Sequence, residues 1–578
     1  MAVVGDLALM CNQIITKRPS LDLKKSVFGA QIWSKKAYFD AQKLKKGQSR
    51  VGLKAGMQLE VLERSSDFKS LEGNLGLDLV TERNLREKGF LGLRKTKLVC
   101  TIGPACCSFE ELEKLAQGGM NVARLNMCHN TRDWHKDVIR KIKKLNEKGY
   151  CVSLMIDTEG NQINVVDHGA PSSVKAEDGS IWHFTTERFQ GFLPLTVKAN
   201  HQGFSEGIQV GDEVVIDGGM ATFKVVKKIG KDLQCKCIDP GLLLPRAKLS
   251  FWRNGELVGN NYELPTLSMK DWSDIEFGIS EGIEFIALSF VKSADAIKHL
   301  KNYLSDKSSR SIKVLAKIES VESLQKLEEI VDASDGIMIA RGDLGVEIPL
   351  EEIPTVQETI IEVCQQLNKP VIVASQLLES MIEYPIPTQA EVADVSEAVR
   401  QYADALMLSG ESAIGSYGEK ALSVLHTTST RMESWSREEN MQSFRDQNRL
   451  KLSLLDQIAE QICNSASEMA NNLGLDAIFV YTRHGQMASL LSRNRPNPPI
   501  FAFTDDKNIR MSLNLHWGVT PLLTDLSDDM EANTERTIEL IKSKGLIKEG
   551  DTVLVVSDII PSAATRTVFQ SIQVKTVG

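Results

Sequence analysis

The stretch that decides the fold is "DGIMIARGDLGVEIP", residues 335–349. Its apolar run is typical of a buried strand and stops at Ala340, and the tripeptide Arg-Gly-Asp at 341–343 follows at once. One interpretation is adhesive, because Arg-Gly-Asp is a cell-surface recognition tripeptide. A tripeptide recurs by chance in many chains, so the position of these charges at the end of a strand favours a functional site instead.

Seven further runs of this kind occur from Lys95 onward. Each is short, apolar and rich in β-branched residues, and stretches of helix length such as "FEELEKLAQGG" alternate with them. This alternation is typical of parallel α/β units. The eight runs lie at 97–103, 121–126, 152–157, 285–290, 313–319, 336–343, 370–376 and 405–411.

Eight β-α repeats, with both faces of the sheet covered, predict an α/β fold built on a closed (β/α)8 TIM barrel. An open doubly wound sheet is the alternative, but no Gly-x-Gly-x-x-Gly turn follows the first strand. In a TIM barrel the chemistry lies at the C-terminal ends of the strands. Candidate functional residues are therefore sought there.

Two further domains are predicted outside the barrel. The third and fourth runs are separated by almost 130 residues, which is too long for one helix. The stretch 208–239 alternates apolar and polar residues between Gly-rich turns, which predicts a small inserted antiparallel all-β barrel domain. A charged connector after about residue 440 leads to a separate C-terminal α/β domain. The predicted boundaries are 1–65 for a basic leader, 95–157 and 264–440 for the barrel, 158–263 for the inserted β domain and 455–578 for the C-terminal domain.

The overall composition is that of a globular protein with room for about three or four domains. Of the 578 residues, 42% are hydrophobic and 25% are charged, and the net charge of −8 argues against a nucleic-acid partner. No apolar run approaches about 18 residues, so no membrane-spanning helix is expected. Cys235 and Cys237 lack zinc-finger spacing and alternate as two same-face residues of a strand, so a structural role is favoured over metal binding.

The first residues differ in composition from the rest. Residues 1–50 contain ten basic and three acidic side chains, without a sustained helical or strand period. This bias predicts an organelle transit segment, because a secretory signal would show a compact apolar core before a small-residue cleavage site. A disordered basic tail on a cytoplasmic protein is the alternative.

Polar residues fall at the C-terminal ends of seven of the strands. One such residue is explained by a solvated strand end, but seven strands converging with charges on one rim favour a site. A salt-bridge network that closes the barrel mouth is the alternative. The residues are Arg124 and Asn126, Asp157 and Thr158, Ser289 and Lys292, Lys317 and Glu319, Arg341 and Asp343, Ser375 and Gln376, and Ser409 and Glu411.

The chemistry of this rim suits a divalent cation and a phosphorylated acid. Glu319 and Asp343 end neighbouring strands, and oxygen ligands without a nearby His or Cys favour Mg²⁺ or Mn²⁺. Lys317 lies two residues before Glu319, so both side chains point the same way. Arg124 offers a fork of donors to a phosphate, and Gly342 lets a carboxylate approach backbone N–H groups. Together they predict phosphoryl transfer or enolate chemistry.

Several long segments resemble pyruvate kinase. The likeness covers the chain from about Lys95 to its end and is strongest over 285–430. The basic N-terminal extension, "DTEG" at 157–160 and "PGLLLPRAKLSFW" are most similar to the α-type subunit of the plastid enzyme. The segments are "KLVCTIGPACCSFEELEKLAQGGMNVARLNMCHN", "VLAKIES", "IARGDLGVEIP", "VIVASQLLESMI" and "ALMLSGESAIGSYGEKAL".

The resemblance implies that phosphoenolpyruvate gives its phosphoryl group to ADP, and that the enolate then takes a proton to become pyruvate. It implies a phosphate-holding role for Arg124 and a charge-stabilising role for Lys317. Ser375 stands where the family has a threonine hydroxyl tied to protonation. The other implied roles are magnesium binding by Glu319 and Asp343, carboxylate binding by the backbone at Gly342 and Asp343, potassium binding by Asn126, Asp157 and Thr158, and nucleotide contact by Arg246.

The chain departs from the family at "DTEGNQIN", residues 157–164, where active relatives read Asp-Thr-Lys-Gly-Pro-Glu-Ile-Arg. Glu159 and Asn164 remove two positive charges and add one negative charge beside anionic ligands. Gln162 matches neither potassium-dependent nor potassium-independent forms, and Cys128 replaces a serine oxygen. We therefore expect weak ADP binding and low activity of the isolated chain, with a weakly catalytic or regulatory subunit of a hetero-oligomeric plastid enzyme as the alternative function.

The expected partners are phosphoenolpyruvate, ADP and further pyruvate kinase subunits in a homo- or hetero-oligomer, with no nucleic acid and no membrane. The expected location is the chloroplast stroma, with the cytoplasm as the alternative. A different enolpyruvate enzyme on the same barrel, such as a lyase, is a third hypothesis. The complete order of the motifs disfavours it.

Overall fold

A computed structural model describes most of the chain from residue 93 onward. The predicted leader at 1–65 lies outside the described residues, and so do Asn161, Gln162, Asn164 and Arg246. No helix within the described part is long and apolar enough to cross a membrane. The described residues are 93–160, 165–167, 174–187, 193–200, 203–216, 220–243, 249–258, 265–439, 454–527, 529–557 and 570–578.

The first part of the barrel holds three strands and two helices. Buried side chains recur every three or four residues along the second helix, as Val138, Ile142 and Leu145 do, and this apolar face packs against the strands. The first helix starts at a cap in which Ser108 accepts the amide hydrogen of Glu111 at 3.1 Å. The elements are β1 (Lys97–Thr101), α1 (Phe109–Gln117), β2 (Val122–Asn126), α2 (Arg132–Glu147) and β3 (Ser153–Asp157).

An all-β domain follows β3, as the alternating pattern predicts. Its core contains Trp182, Phe184 and Phe223, whose rings meet edge to face with centroids 5.9 and 5.4 Å apart. The strands are β4 (Val165–Asp167), β5 (Val174–Ala176), β6 (Ile181–Thr185), β7 (Thr196–Ala199), β8 (Glu213–Ile216), β9 (Ala221–Ile229), β10 (Asp232–Asp239), β11 (Gly241–Leu243), β12 (Leu249–Arg253) and β13 (Glu256–Leu257). Cys235 and Cys237 are buried on one face of β10, so their predicted strand placement is confirmed.

Strand pairing in this domain is less regular than in the predicted antiparallel barrel. The described strands form an eight-stranded sheet in the order β13-β12-β8-β9-β10-β6-β7-β4, and β11 pairs with β5 as a separate ribbon. Most pairs are antiparallel, but β6 and β7 are parallel. No pair among the described residues joins β13 to β4. Alternation predicts strands and their buried faces, but edge pairing also depends on loops and bulges, which alternation does not encode.

The chain then returns to the barrel and completes it. The five strands coincide with the last five predicted runs, and each strand ends one to three residues before its run does. The elements are α3 (Met269–Glu281), β14 (Phe285–Leu288), α4 (Ala294–Lys307), β15 (Lys313–Ile318), α5 (Val321–Gln325), α6 (Leu327–Ala333), β16 (Gly336–Ala340), α7 (Arg341–Leu344), α8 (Ile353–Gln366), β17 (Val371–Ala374), α9 (Gln389–Arg400), β18 (Ala405–Leu408), α10 (Gly410–Ala413) and α11 (Gly418–Glu439).

The eight parallel strands close into the ring that the sequence predicts, in the order β1-β18-β17-β16-β15-β14-β3-β2. The ring closes where Lys97 of β1 pairs with Ala405 of β18. Successive residues of a strand face opposite sides, so Leu98 packs under the helices while Val99 points into the barrel interior. Two apolar layers therefore hold the strands, one inside the ring and one outside it.

The C-terminal domain is a second α/β unit that covers the amino-terminal ends of the barrel strands. Leu515 joins the apolar cluster inside the barrel. Lys97 Nζ donates to the carbonyl of Val519 at 2.7 Å, and Ser153 Oγ donates to the carbonyl of Met511 at 2.8 Å. This face of the barrel is therefore occupied, and the carboxyl ends stay available for a site.

Its five-stranded sheet has the order β21-β20-β19-β22-β23, and only the last pair is antiparallel. The elements are α12 (Leu454–Leu473), β19 (Ala477–Tyr481), α13 (Gln486–Arg493), β20 (Ile500–Thr504), α14 (Lys507–Ser512), β21 (Val519–Leu523), α15 (Met530–Ser543), β22 (Thr552–Ser557) and β23 (Ser571–Thr576).

Candidate active site

Charged side chains from three barrel strands meet at the carboxyl ends, and Asp157 lies at their centre. Its Oδ2 accepts a hydrogen bond from Arg124 Nε at 2.7 Å, and its Oδ1 lies 3.2 Å from Lys317 Nζ. Ser289, directly after β14, donates to the same Oδ1 at 3.2 Å and accepts from Lys317 at 2.9 Å. The structure thus brings together Arg124 and Lys317, which the sequence predicts to act on one ligand.

Burial and charge set the ionisation of this group. The Asp157 side chain is 1% exposed. Burial alone would raise the pKa of Asp157, but Arg124 and Lys317 outweigh it and hold that pKa below its ordinary value. Burial alone would lower the pKa of Lys317, but Asp157 and Glu319 outweigh it and raise that pKa. Lys317 is therefore a permanent cation at neutral pH.

Glu319 follows β15 and is fully buried. Its Oε1 lies 2.8 Å from Lys317 Nζ, and its Oε2 accepts the backbone N–H of Phe290 at 2.7 Å. Burial raises the pKa of Glu319, and the nearby charge of Asp343 adds to that effect against the opposing charge of Lys317. The charges of Glu319 and Asp343 therefore interact, as expected for two carboxylates that face one cation.

The donor set fits a magnesium ion. Glu319 Oε1 is buried and has no well-aligned hydrogen bond within the described structure. Two carboxylates suffice on the protein side, since Mg²⁺ in phosphoryl-transfer sites usually takes one or two carboxylates plus substrate oxygens and water. No cluster of three or more His, Cys, Asp and Glu residues suited to a metal occurs in the described ranges. The described residues therefore fit a magnesium site whose remaining ligands are substrate oxygens and water.

The residues predicted to bind potassium lie together in the structure. Asn126 pairs with Asp157 in the register of β2 and β3. Asn126 Oδ1 accepts the backbone N–H of Cys128 at 3.1 Å, and Thr158 Oγ1 accepts that of Ser289 at 3.0 Å. Asp157 is already neutralised by two cationic side chains. Burial also raises the pKa of the Cys128 thiol to about 11, so it offers only a weak ligand to a hard cation.

Ser375 and Gln376 form a strained turn directly after β17. Both have left-handed backbone conformations, with φ of 71° and 54°. Such conformations cost side-chain-bearing residues on the order of 1–3 kcal/mol each. Gly342 faces this turn, and a Cβ added to it would lie 3.7 Å from Ser375 Oγ. The predicted pair Gly342 and Ser375 is therefore in one place, opposite the charged group.

Arg341 does not point into the site, although the sequence places it on the rim. Its guanidinium forms two 2.7 Å hydrogen bonds with Asp394 of α9. It also donates to the carbonyls of Ser375, at 2.8 and 3.1 Å, and Gln376, at 3.0 Å. Arg341 is a positioning residue that holds the strained turn, because it begins the short helix α7 and its side chain no longer follows the alternation of β16.

Glu159 makes an ion pair that sequence reasoning missed. Its carboxylate lies 3.0 Å from Lys270 Nζ, and its backbone N–H donates to Asp271 at 2.9 Å. Lys270 also donates to the carbonyl of Met127 at 2.7 Å and to Asp274 at 2.8 Å. The negative charge of Glu159 is therefore offset locally by a residue more than 100 positions away in the chain.

Other rim residues have structural roles. The buried carboxylate of Glu411 accepts the backbone N–H groups of Ser409, at 2.7 Å, and Leu378, at 3.1 Å. Lys292 forms an exposed ion pair with Glu322 at 3.2 Å. Thr101 was not singled out in the sequence, yet its hydroxyl accepts a hydrogen bond from Arg124 at 2.9 Å. Its position at the end of β1 is the feature of the sequence that could have identified it as a rim residue.

Comparisons with known proteins agree on one family. The family model described as pyruvate kinase, barrel domain, matches residues 93–422, and the model described as pyruvate kinase, alpha/beta domain, matches residues 460–568. Pyruvate kinase isozyme A, chloroplastic, of Ricinus communis is 58% identical over 501 residues, covering 86% of this chain and 85% of the relative. Its Nicotiana tabacum counterpart is 57% identical over 501 residues, covering 86% and 84%. The pyruvate kinase of Bacillus licheniformis is 32% identical over 478 residues, covering 82% and 79%.

Replacing Arg341 with Met should destabilise the fold, because it removes the donors that hold the Ser375–Gln376 turn and leaves their carbonyls unpaired. We expect a loss of about 2 kcal/mol or more in the free energy of unfolding, measured by denaturant titration. Adding Gln376→Gly should restore part of this loss, because glycine adopts a left-handed conformation without strain. Arg400→Met, which removes an exposed arginine of α9, is the matched control. Equal stability of the Arg341 and Arg400 variants would contradict the assignment.

Proposed function

The chain belongs to the pyruvate kinase family, and from this premise we propose which of its residues transfer the phosphoryl group of phosphoenolpyruvate to ADP. It is an enzyme, a phosphotransferase that yields pyruvate and ATP. The chloroplast isozymes among its relatives assign it to the plastid. The observation that carries the residue assignment is the buried charged group in which Asp157 holds both Arg124 and Lys317.

Arg124 and Lys317 supply the positive charge of the proposed site. Arg124 uses Nε and Nη1 to hold Asp157 and Thr101, and a guanidinium has five N–H donors, so further donors serve the substrate phosphate. Lys317 is positioned by three oxygen partners and stays charged. It stabilises the negative charge that grows on the transferring group and on the enolate oxygen.

Glu319 and Asp343 are the residues that would hold magnesium. When bound, the ion neutralises charge on the phosphoryl oxygens. Potassium is used generally in this family, and Asn126, Asp157 and Thr158 are the residues that would hold it, since oxygens that accept one hydrogen bond keep a further lone pair. The proposed mechanism assigns no step to this ion.

The substrate carboxylate and the proton transfer involve the other side of the mouth. The backbone N–H groups of Gly342 and Asp343 hold the carboxylate, and the missing side chain of Gly342 keeps this approach open. Ser375 Oγ takes part in the protonation of the enolate, in the place of the family threonine. Arg341 holds that hydroxyl in place by donating to the backbone carbonyl of Ser375, and it takes no direct part in the chemistry.

A weakly catalytic regulatory subunit is the alternative function raised by Glu159. The ion pair with Lys270 offsets the added negative charge, which weakens the argument for an impaired site. The relatives at 57–58% identity are named pyruvate kinases. The core set Arg124, Lys317, Glu319 and Asp343 is present, so the catalytic function is favoured.

An oligomer with other pyruvate kinase subunits, identical or different, is the proposed assembly. Leu350, Tyr384 and Ile386 support it, because these large apolar side chains are 72%, 61% and 74% exposed. Analytical ultracentrifugation of the chain, alone and mixed with a candidate partner subunit, tests this proposal. A monomer in both samples would contradict it.

Replacing Lys317 with Met should lower kcat by roughly two to three orders of magnitude, because its charge is needed mainly in the transition state. A coupled assay for pyruvate measures the rate, and thermal unfolding checks that the variant folds. Lys292→Met is the matched control, since it removes an exposed lysine of the same rim, and it should change the rate by less than about twofold. Near-normal turnover of the Lys317 variant would show that the site lies elsewhere.

Replacing Glu319 with Gln, or Asp343 with Asn, should raise the magnesium concentration needed for half-maximal rate. Each change removes one of the two anionic ligands, and the expected increase is about tenfold or more. A magnesium titration of the coupled assay measures it. Glu322→Gln, at an exposed carboxylate near the rim, should leave the titration unchanged. If neither ligand variant shifts the curve, the metal binds elsewhere.

Restoring Lys at 159 together with Arg at 164 should raise the rate of the isolated chain and lower its KM for ADP, because two donors for anionic phosphates return. Each charge-assisted hydrogen bond is worth about 1.5–3 kcal/mol. Glu159→Gln alone should have little effect, since Lys270 already offsets that charge. Steady-state kinetics with varied ADP separate the two variants. Turnover of the unmodified chain at about 1–100 per second would refute an impaired loop.

A further inference from the structure

A small pocket lies between the barrel and the C-terminal domain, far from the carboxyl ends of the strands. Its barrel wall contains Gln365, Lys369 and Asp404, and its C-terminal wall contains Arg493 and Arg495. Lys369 directly precedes Pro370 and the start of β17, so the pocket lies at the opposite end of this strand from Ser375. The pocket has no place in the proposed phosphoryl transfer.

Two of the side-chain acceptors that line this pocket, Asp404 and Asn368, are already engaged. Asp404 Oδ1 accepts from Arg495 Nη1 at 2.8 Å and from the backbone N–H of Trp517 at 3.3 Å, and its Oδ2 accepts from the backbone N–H of Val371 at 3.0 Å. Asn368 Oδ1 accepts from Ser489 Oγ at 3.2 Å. A ligand that needs acceptors would therefore find few in this wall.

Donors, in contrast, remain available. Arg495 Nε and Gln365 Nε2 are buried, and neither has a hydrogen-bond partner within the described part of the chain. The Arg495 side chain is only 2% exposed. Lys369 Nζ donates to the carbonyls of Ser334, at 2.6 Å, and Asp332, at 3.1 Å, and an ammonium group has a third hydrogen. Buried donors without a partner at this wall favour a ligand that accepts hydrogen bonds.

The charge around the pocket is positive. Three cationic side chains line it, those of Lys369, Arg493 and Arg495. Arg495 lies 2.8 Å from the carboxylate of Asp404, and Arg493 lies 2.5 Å from that of Glu460. Burial lowers the pKa of Lys369, and the nearby charge of Lys301 lowers it further against the opposing charges of Asp335 and Asp332. Positive charge at a donor-rich buried wall favours an anion over a neutral water molecule.

We propose that this pocket binds one small inorganic anion of halide size, which is chloride under cellular conditions. The cavity has a volume of about 10 Å³, which suits a single ion and excludes a sugar phosphate or a nucleotide. The anion accepts from Arg495 Nε of the C-terminal domain and from Gln365 Nε2 and Lys369 of the barrel. It thereby joins the two domains and stabilises the folded chain.

Bromide identifies the site directly, because it replaces chloride and scatters anomalously. Crystals of the full chain are soaked in sodium bromide, and anomalous differences are measured at the bromine edge. We expect a peak within hydrogen-bond distance of Arg495 Nε and Gln365 Nε2. A water molecule at that position, without anomalous signal at saturating bromide, would overturn the proposal.

Thermal unfolding tests the site in solution. Sodium chloride should raise the Tm of the full chain by about 1–2 °C over sodium gluconate of equal ionic strength, when chloride exceeds its Kd about tenfold. The double variant Gln365→Met, Lys369→Met should lose this difference, and the control Lys292→Met should keep it. An equal chloride effect in the double variant would refute the proposal, and bromide in the crystal without any effect in solution would identify an adventitious ion only.

Discussion

The buried carboxylate of Asp157 is the interaction on which the active site depends. Arg124 and Lys317 come from strands that are not neighbours in the ring, and both are nearly buried. Two such cations would repel each other in a site of low polarity without a shared anion. Asp157 holds both at once and keeps Lys317 charged. In the proposed function, the substrate phosphate and the transition state therefore meet positive charge that is already in place before substrate arrives.

The two ends of the barrel are built by opposite physical means. At the amino-terminal ends of the strands, the C-terminal domain inserts Leu515 into the apolar interior and satisfies polar groups such as Lys97. At the carboxyl ends, oppositely charged side chains form ion pairs with one another, and this leaves room for ligands. Strand β17 links the two ends, because it runs from the interdomain pocket to the strained turn at Ser375. A change in how the two domains dock would therefore act at one end of β17, and Ser375, the proposed protonation site, lies at the other end.

The tripeptide Arg341-Gly342-Asp343 divides its tasks among its three residues. Arg341 turns outward to Asp394 and stabilises the turn after the next strand. Gly342 leaves the space that a ligand needs, and Asp343 acts electrostatically on Glu319. Adhesion would need all three residues exposed in a loop, but Arg341 is only 6% exposed. The tripeptide belongs to the site and to its support.

Hydrophobic period and strand ends are local properties of a chain, so they were enough to predict the barrel and the all-β character of the insertion, and to propose the set Arg124, Lys317, Glu319 and Asp343. The sequence by itself did not determine that Asp157 serves as an anion between two cations, that Arg341 points away from the mouth, or that Lys270 pairs with Glu159. Nor did it determine the strand order of the β-domain sheet or the parallel pairing of β6 with β7. Each of these depends on distances between residues that are remote in sequence, and only tertiary packing decides such distances.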